Sequence, residues 1–194
     1  MTICIYGAAS STIYEKYKIQ VYNLAQKLAK KGHTLVYGCG GTGIMGSAAR
    51  GFKDNGAFVH GVIPHFFLEH GYEGVFDKAD KVTYTDTMAE RKAIMEDSCD
   101  AFIVASGGCG TMEELFQILT LKQLGRHKKA IAIFNQYGFY DKLVDFIEEL
   151  ISKNFINKEC RDLYKVIDNE DEIISYIENY SPENIKWSRL KRTP

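Results

Sequence analysis

Short runs of apolar and β-branched residues alternate along the chain with longer segments whose apolar residues recur at helical spacing. This alternation is typical of successive βα units around a parallel sheet. The predicted strands are Thr2–Tyr6, Thr34–Tyr37, Ala57–Ile63, Lys81–Tyr84, Ala101–Ala105, Ala130–Phe134 and Tyr164–Ile167. The predicted helices are Ile13–Lys31, Ile44–Asn55, Thr87–Ser98, Thr111–Leu124, Tyr140–Lys153 and Asp171–Glu178. The pattern therefore predicts an α/β protein with a three-layer Rossmann-like fold, in which helices flank a mostly parallel sheet of about seven strands.

The length of the chain predicts one domain. It has 194 residues, of which 45% are hydrophobic, which is enough for one core and short for two full domains. We therefore predict a single domain over residues 1–180, followed by a solvated basic tail over residues 181–194 that contains Lys186, Arg189, Lys191 and Arg192.

Charge and cysteine content exclude several classes of protein. Lys and Arg number 24 and Asp and Glu 25, so the net charge of −1 predicts neither a nucleic-acid partner nor a membrane partner, and any anion must be bound locally. The five cysteines are odd in number and scattered, which is unlike a disulfide framework or a metal site. The start of the chain lacks the features of a signal peptide. These observations predict a soluble cytoplasmic protein that contains no metal.

Three glycine-rich turns directly follow predicted strands. They are YGAASS from Tyr6, YGCGGTG from Tyr37 and SGGCGT from Ser106. In an open α/β sheet, ligands bind at the carboxyl ends of the strands, where such turns lie. We therefore expect the three turns to line one crevice.

The second turn matches the GxGxxG pattern of dinucleotide-binding proteins, from Gly38 to Gly43. That fingerprint belongs to the first βα turn and needs an acidic residue about 20 positions later to hold the ribose. Residues 58–63 contain no acid. The pattern therefore favours a tight turn that packs a helix on the sheet, and no nicotinamide cofactor is predicted.

The third turn has the features of a phosphate site. Three glycines between Ser106 and Thr111 allow backbone N–H groups to point inward where the next helix begins, and the helix dipole favours an anion there. The segment has neither the lysine nor the spacing of a Walker A loop. The alternative is a plain strand-to-helix connection in which Thr111 is the N-cap.

Arg91 lies on the apolar face of a predicted helix. Thr87 and Glu90 form a capping box at its start, and Arg91 falls between Met88 and Met95 on the inward side. A guanidinium in that position needs an anion. The anion is either a structural carboxylate or a bound ligand.

Glu114 has two explanations. With Thr111 it forms a second capping box, which would be a purely structural role. It also shares a helix face with Ile118 and Leu121. A carboxylate on the inward side, just after a phosphate loop, is well placed to act on the sugar of a bound nucleotide.

These motifs together resemble those of the LOG family, the cytokinin riboside 5′-monophosphate phosphoribohydrolases, whose members are often labelled "possible lysine decarboxylase". The most specific parts are the Met-x-x-Arg-Lys segment from Met88 to Lys92 and SGGCGTMEE from Ser106 to Glu114, which is similar to the family's PGGxGTxxE. LVYGCGGTGIMG from Leu35 and GVIPHFF from Gly61 also resemble family segments. The resemblance extends to about Tyr180.

The resemblance implies a role for individual residues. Arg91 and Glu114 match the catalytic pair, Lys92 matches a residue that helps to bind substrate, and Gly107 to Thr111 match the phosphate loop. The phosphate loop consists of Gly107, Gly108, Cys109, Gly110 and Thr111. The resemblance also assigns seven further residues to substrate binding: Glu73, Thr120, Met88, Met112, Glu113, Gly40 and Gly41.

Three residues depart from the family pattern. Ser106 replaces a proline, Cys109 replaces a common aromatic residue and Ala89 replaces a common histidine. They leave the catalytic pair unchanged, but they put the specificity for the base in doubt.

The resemblance implies a hydrolase that cleaves the N-glycosidic bond of a purine nucleoside 5′-monophosphate. The base would be adenine or an N6-substituted adenine, the other product would be ribose 5-phosphate, and no cofactor would be needed. It also implies a homodimer, for which apolar residues such as Phe116, Leu119 and Leu124 are available. The alternative function is a non-catalytic mononucleotide sensor. A pyridoxal-phosphate decarboxylase would need a Schiff-base lysine, which no motif nominates.

Overall fold

The computed structural model describes residues 1–69, 74–182, 185 and 190. The strands are β1 (Thr2–Tyr6), β2 (Thr34–Tyr37), β3 (Val59–Pro64), β4 (Lys81–Thr85), β5 (Ala101–Val104), β6 (Ala130–Phe134) and β7 (Lys165–Ile167). The α-helices are α1 (Glu15–Lys30), α2 (Gly43–Lys53), α3 (His65–Glu69), α4 (Met88–Asp97), α5 (Cys109–Gln123), α6 (Asp141–Ser152) and α7 (Glu170–Glu178). Two 3-10 helices span Gln136–Gly138 and Lys158–Leu163.

The elements predicted from the hydrophobic pattern are confirmed. Every predicted strand and helix is present, and its ends agree with the prediction to within two residues. Helix α3 and the two 3-10 helices were not predicted, because segments of three to six residues are too short to show a period.

In the described part of the chain, no helix has both the length and the apolar character needed to cross a bilayer.

The seven strands form one sheet in the order β4-β3-β2-β1-β5-β6-β7, and every pair is parallel. The chain runs outward from β1 to β4 on one side and then returns to continue from β5 on the other. Strands β1 and β5 are therefore neighbours at the point where the strand order reverses. The crevice above such a point is where open α/β sheets bind ligands.

Hydrophobic cores on both faces of the sheet give the predicted three layers. Alternate residues of β1 belong to different cores: Ile3 and Ile5 pack with α1, α2 and α7, whereas Cys4 and Tyr6 pack with residues of α4 and α5. Because the central strands are buried on both faces, their sequences are continuous apolar runs, as is typical of parallel sheets.

The two predicted capping boxes have different outcomes. At α4, the Thr87 side chain accepts a hydrogen bond from the Glu90 N–H (3.1 Å), and the Glu90 carboxylate accepts one from the N–H of Asp86 (3.0 Å), so the cap is confirmed. At α5, the capping box of Thr111 and Glu114, given as one of two explanations for Glu114, is not formed. The helix begins at Cys109 with Gly108 at the N-cap, so Thr111 and Glu114 lie inside the helix.

Part of the predicted C-terminal tail is packed. Ile185 and Leu190 are buried in a small apolar cluster with Cys160 and Leu163. The basic residues assigned to the tail, Lys186, Arg189, Lys191 and Arg192, lie outside the described residues. The division at residue 180 stays a prediction.

A buried lysine joins the end of α5 to the C-terminal part of the fold. Lys122 is fully buried, its Nζ donates a hydrogen bond to the Leu163 carbonyl (2.6 Å), and Nζ lies 4.6 Å from the ring centroid of Tyr180. Burial lowers the pKa of Lys122 to about 7 from an ordinary value of 10.5. The folded protein therefore holds this amine neutral at a pH where the unfolded chain would protonate it.

Lys122 should make the protein more stable as the pH rises above about 7. Between the folded and unfolded pKa values the unfolded chain binds one more proton, so the free energy of unfolding should rise by up to about 1.4 kcal/mol per pH unit. The variant Lys122→Met should lack this contribution. Urea unfolding at about pH 7 and about pH 9 measures the free energy of unfolding of both proteins. From the lower to the higher pH, the wild type should gain roughly 2 kcal/mol of stability relative to the variant. A difference that does not change with pH would show that the amine keeps its ordinary pKa in the fold.

Candidate active site

A cavity of about 600 Å³ lies at the carboxyl ends of the central strands. Its wall includes residues 7–11 after β1, Thr42 after β2, and Gly108 and Gly110 after β5, so the three glycine-rich turns do share one crevice, as predicted. Arg91 of α4 and Glu114 of α5 also line it. The cavity therefore brings together a guanidinium, a carboxylate and the start of a helix.

Arg91 is held rigidly at the bottom of this site. Only 4% of its surface is exposed. Its Nε donates a hydrogen bond to the Val62 carbonyl (3.1 Å), and one terminal nitrogen donates to the Gly38 carbonyl (2.9 Å). The guanidinium also lies 5.4 Å from the ring centroid of Phe67, within cation–π range.

The charge of Arg91 has no carboxylate partner among the described residues. No carboxylate oxygen in residues 1–69, 74–182, 185 or 190 lies within 4.0 Å of its nitrogens. Of the two anions considered for Arg91, a structural carboxylate and a bound ligand, the geometry supports the ligand. Within the described part of the chain its hydrogen-bond partners are neutral, namely the carbonyls of Val62 and Gly38 and the sulfur of Met88, and this favours an anion in the adjoining cavity.

The turn after β2 is shaped around this arginine. A Cβ atom at Gly38 would lie 1.9 Å from a terminal nitrogen of Arg91, so any side chain there would displace the guanidinium. The next residue, Cys39, is buried and has a φ of 66°, in the left-handed region that residues with side chains rarely adopt. This strained residue directly follows Gly38, whose carbonyl accepts the hydrogen bond from Arg91.

Glu114 is a buried carboxylate, since only 8% of its surface is exposed. It lines the cavity from the second turn of α5. Burial first, and the negative charge of Glu114 second, raise the pKa of Tyr140, whose hydroxyl donates a hydrogen bond to the Ala105 carbonyl (2.7 Å). The carboxylate thus lies where little solvent screens its charge, beneath the loop that follows β5.

The start of α5 offers backbone donors to the cavity. With Gly108 at the N-cap, the N–H groups of Cys109, Gly110 and Thr111 have no acceptor within the helix, whereas the N–H of Met112 bonds to the Gly108 carbonyl (3.0 Å). These free donors and the positive end of the helix dipole favour an anion such as a phosphate. The Thr111 side chain folds back on Gly107, where a Cβ atom would lie 2.1 Å from its hydroxyl oxygen.

Not every residue assigned to the site lies in the cavity wall. The wall contains Met88, Arg91, Gly108, Gly110, Thr111 and Glu114. Lys92 forms an ion pair with Glu113, and both are outside the wall, so their assigned roles in substrate binding stay predictions. Residues Gly107, Cys109, Met112 and Thr120 are also outside the wall, and their roles in binding stay predictions.

Gly40 and Gly41 support the neighbouring chain segment rather than the cavity wall. Gly40 forms a β-bridge with Val75, and the N–H of Gly41 donates a hydrogen bond to the Gly74 carbonyl (2.6 Å). Their assigned contact with substrate stays a prediction. Glu73, which the resemblance placed in the site, lies outside the described residues.

Several residues of the cavity wall were not predicted individually. They are Gly7, Ala8, Ala9, Ser10, Ser11, Thr42, Met45, Phe67 and Gly74. The first glycine-rich turn was a sufficient signal for the residues after β1. Met45 and Phe67 lie in segments that resemble the family, but their place in the wall depends on how α2 and α3 pack.

The described residues contain no group of three or more His, Cys, Asp or Glu side chains that could hold a metal ion. Phe116 of α5 and Leu124 at its C-cap are 41% and 59% exposed, whereas Leu119 packs against two buried apolar clusters. Phe116 and Leu124 are available for contact with another chain. The homodimer stays a prediction.

Comparison of the sequence with known proteins identifies related chains. A family model described as "Possible lysine decarboxylase" matches residues 45–177. The chain is 35% identical over 181 residues to the cytokinin riboside 5′-monophosphate phosphoribohydrolase LOG of Oryza sativa subsp. japonica, covering 93% of this chain and 74% of the relative. It is 34% identical over 182 residues to a cytokinin riboside 5′-monophosphate phosphoribohydrolase of Arabidopsis thaliana, covering 94% of this chain and 84% of the relative.

Solved structures share the fold at lower identity. The molybdenum cofactor carrier protein of Chlamydomonas reinhardtii superposes with a TM-score of 0.69 at 21% identity, covering 91% of this chain and 95% of that one. The molybdenum cofactor binding protein of Rippkaea orientalis gives a TM-score of 0.68 at 20% identity, covering 91% and 94%. At these identities the likeness concerns the fold alone.

Proposed function

The chain belongs to the LOG family of phosphoribohydrolases, and from this membership we propose that it hydrolyses the N-glycosidic bond of a purine nucleoside 5′-monophosphate. The substrate would carry adenine or an N6-substituted adenine. The products would be the free base and ribose 5-phosphate.

One observation carries the proposal. A buried guanidinium and a buried carboxylate line the same cavity of about 600 Å³, next to the free N–H groups at the start of α5. That volume lies within the range of pockets that hold small molecules, roughly 300 to 1,000 Å³. A nucleoside monophosphate has an anionic phosphate for the helix start and a sugar that becomes cationic during the reaction.

In the proposed binding mode, the phosphate lies on the N–H groups of Cys109, Gly110 and Thr111. The ribose then extends from the first turn of α5 towards Glu114, one turn further along the helix. The base occupies the remaining space of the cavity. This orientation brings the anomeric carbon of the sugar close to the carboxylate.

Cleavage of the N-glycosidic bond builds positive charge on the sugar, as in glycoside hydrolysis. The carboxylate of Glu114 opposes that charge and orients or deprotonates the attacking water. The water oxygen bonds to the anomeric carbon, the bond to the base nitrogen breaks, and the base leaves with a proton. Arg91 binds the phosphate or ribose side of the substrate.

A panel of nucleoside 5′-monophosphates tests the proposal. We expect AMP or an N6-substituted AMP to release ribose 5-phosphate, and we expect the corresponding nucleosides without phosphate to react at least about a hundredfold more slowly, because they lack the group that positions the sugar. The assay measures ribose 5-phosphate and free base together, which must appear in equal amounts.

Two results would contradict the proposed hydrolase. Tight binding of AMP without release of adenine would support the alternative, a mononucleotide sensor. Release of phosphate in place of the base would indicate a different bond as the site of attack.

A further inference from the structure

Gln136 is a fully buried amide in the 3-10 helix that follows β6. Its Oε1 accepts hydrogen bonds from the backbone N–H of Ser106 (3.3 Å) and from the Ser106 hydroxyl (3.0 Å). Its Nε2 donates to the Tyr17 carbonyl (2.9 Å) and to the side-chain oxygen of Gln20 (3.4 Å). One side chain thus connects α1, the segment after β6 and the first residue of the loop after β5.

The partner of Gln136 is the residue that departs from the family motif. Ser106 is 4% exposed and occupies the position of the proline in PGGxGTxxE. Proline has no N–H, and its ring fixes φ. Serine adds two buried donors, the N–H and the hydroxyl, and each needs an acceptor. The single oxygen of Gln136 serves both.

The same segment also fixes the residue before the loop. The hydroxyl of Tyr140 donates to the carbonyl of Ala105, and the Ser106 carbonyl accepts a hydrogen bond from the N–H of Ala8 (3.2 Å). The entrance to the loop is therefore held from both neighbouring turns. A proline at position 106 would still offer its carbonyl to Ala8. It could not make the two hydrogen bonds to Gln136, because it has neither the N–H nor the hydroxyl that donates them.

We infer that Gln136 is a positioning residue for the phosphate loop, and that the Ser106–Gln136 pair does by hydrogen bonding what a proline does by its ring. The inference rests on the proposed function, because it assigns the loop to the substrate phosphate. Gln136 is outside the cavity wall, so it acts through Ser106 and the glycines that follow.

Gln136→Leu should raise the Kd for AMP about tenfold, because two buried donors lose their acceptor and the loop no longer holds its N–H groups in place. The KM for a nucleoside monophosphate should rise by a similar factor, with kcat changed less than about threefold. The affinity for adenosine, which has no phosphate, should be unchanged. Adding Ser106→Pro to Gln136→Leu should restore the Kd for AMP to within about threefold of the wild type, since proline removes both unsatisfied donors.

Gln20→Leu is the matched control. It removes a glutamine from the other end of the same network and leaves both bonds between Gln136 and Ser106, so its Kd for AMP should equal that of the wild type. Ser106→Ala is a milder second variant that loses only the hydroxyl, and its Kd should rise about threefold. Each Kd is measured by calorimetry on protein whose folding has been checked by urea unfolding.

The results separate this inference from the proposed function. If the wild type binds AMP but releases no adenine, the hydrolase proposal fails and the comparison of Kd values still decides the role of Gln136. An unchanged Kd in Gln136→Leu would overturn the inference, as would a double variant no better than Gln136→Leu alone. A loss of affinity shared equally by AMP and adenosine would show a general structural role and would also overturn it.

Discussion

Glu114→Gln should lower kcat by about a thousandfold while the Kd for AMP changes by less than about threefold. The substitution keeps the size of a side chain that is 8% exposed, removes the negative charge and replaces one carboxylate oxygen by an NH2 group. If the carboxylate opposes the charge that develops on the sugar, its loss raises the free energy of the transition state and leaves that of the bound substrate unchanged. Single-turnover release of ribose 5-phosphate, with Kd from calorimetry, separates the two quantities.

Glu113→Gln is the control for this variant. The two residues are adjacent on α5 and chemically identical, but Glu113 is outside the cavity wall and pairs with Lys92. We expect its kcat to stay within about threefold of the wild type, because a partly exposed ion pair contributes little, whereas the predicted role of Glu113 in substrate binding would appear in KM. Full turnover in Glu114→Gln would remove this carboxylate from the reaction, whatever its position in the fold.

Arg91→Lys should lower kcat/KM by about a hundredfold, the second largest effect that we expect. The guanidinium donates to the carbonyls of Val62 and Gly38 at once, through nitrogens that a planar group holds in fixed directions. A lysine ammonium keeps the charge, but its three N–H donors leave a single atom and do not reproduce the spacing and directions of the guanidinium nitrogens. Steady-state kinetics on AMP should therefore show the loss despite an unchanged net charge.

Two further variants test whether the loss of kcat/KM comes from the position of the Arg91 guanidinium. Gly38→Ala leaves Arg91 in the sequence but puts a Cβ atom 1.9 Å from its terminal nitrogen, so it should lower kcat/KM in the same direction. Arg50→Lys is the matched control: Arg50 donates to the Gly41 carbonyl (3.0 Å) on the same turn and lies outside the cavity wall. If Arg91→Lys and Arg50→Lys lower kcat/KM equally, the effect belongs to the turn and not to the active site.

The local sequence was sufficient to predict the elements of the fold. Runs such as Ala130–Phe134 are apolar throughout, and α4 begins at a capping box, so each segment carries its own signal of strand or helix. The glycine-rich turns after β1, β2 and β5 were likewise sufficient to predict the crevice, because the carboxyl ends of parallel strands meet at one edge. Family motifs added the identity of Arg91 and Glu114.

The partners of the site residues were decided only in three dimensions. Nothing near Arg91 in the sequence indicates that the carbonyls of Gly38 and Val62 bind its guanidinium, since those contacts span 53 and 29 residues. The ion pair between Lys92 and Glu113 likewise joins two helices, α4 and α5. Such contacts depend on the register of neighbouring strands and on the rotation of each packed helix, neither of which a local pattern encodes.

The start of α5 shows both what the local sequence predicts and what only the folded chain decides. The sequence correctly predicted a helix at this position, and it offered Thr111 as one candidate for the N-cap because a threonine hydroxyl is a good capping group. In the folded chain the helix starts two residues earlier, at Cys109, and Thr111 is folded back against Gly107. The sequence determines by itself which segments become helices and strands, because short-range spacing and turn chemistry control them. The side chains and carbonyls that meet around the ligand are decided by packing between segments distant in the chain.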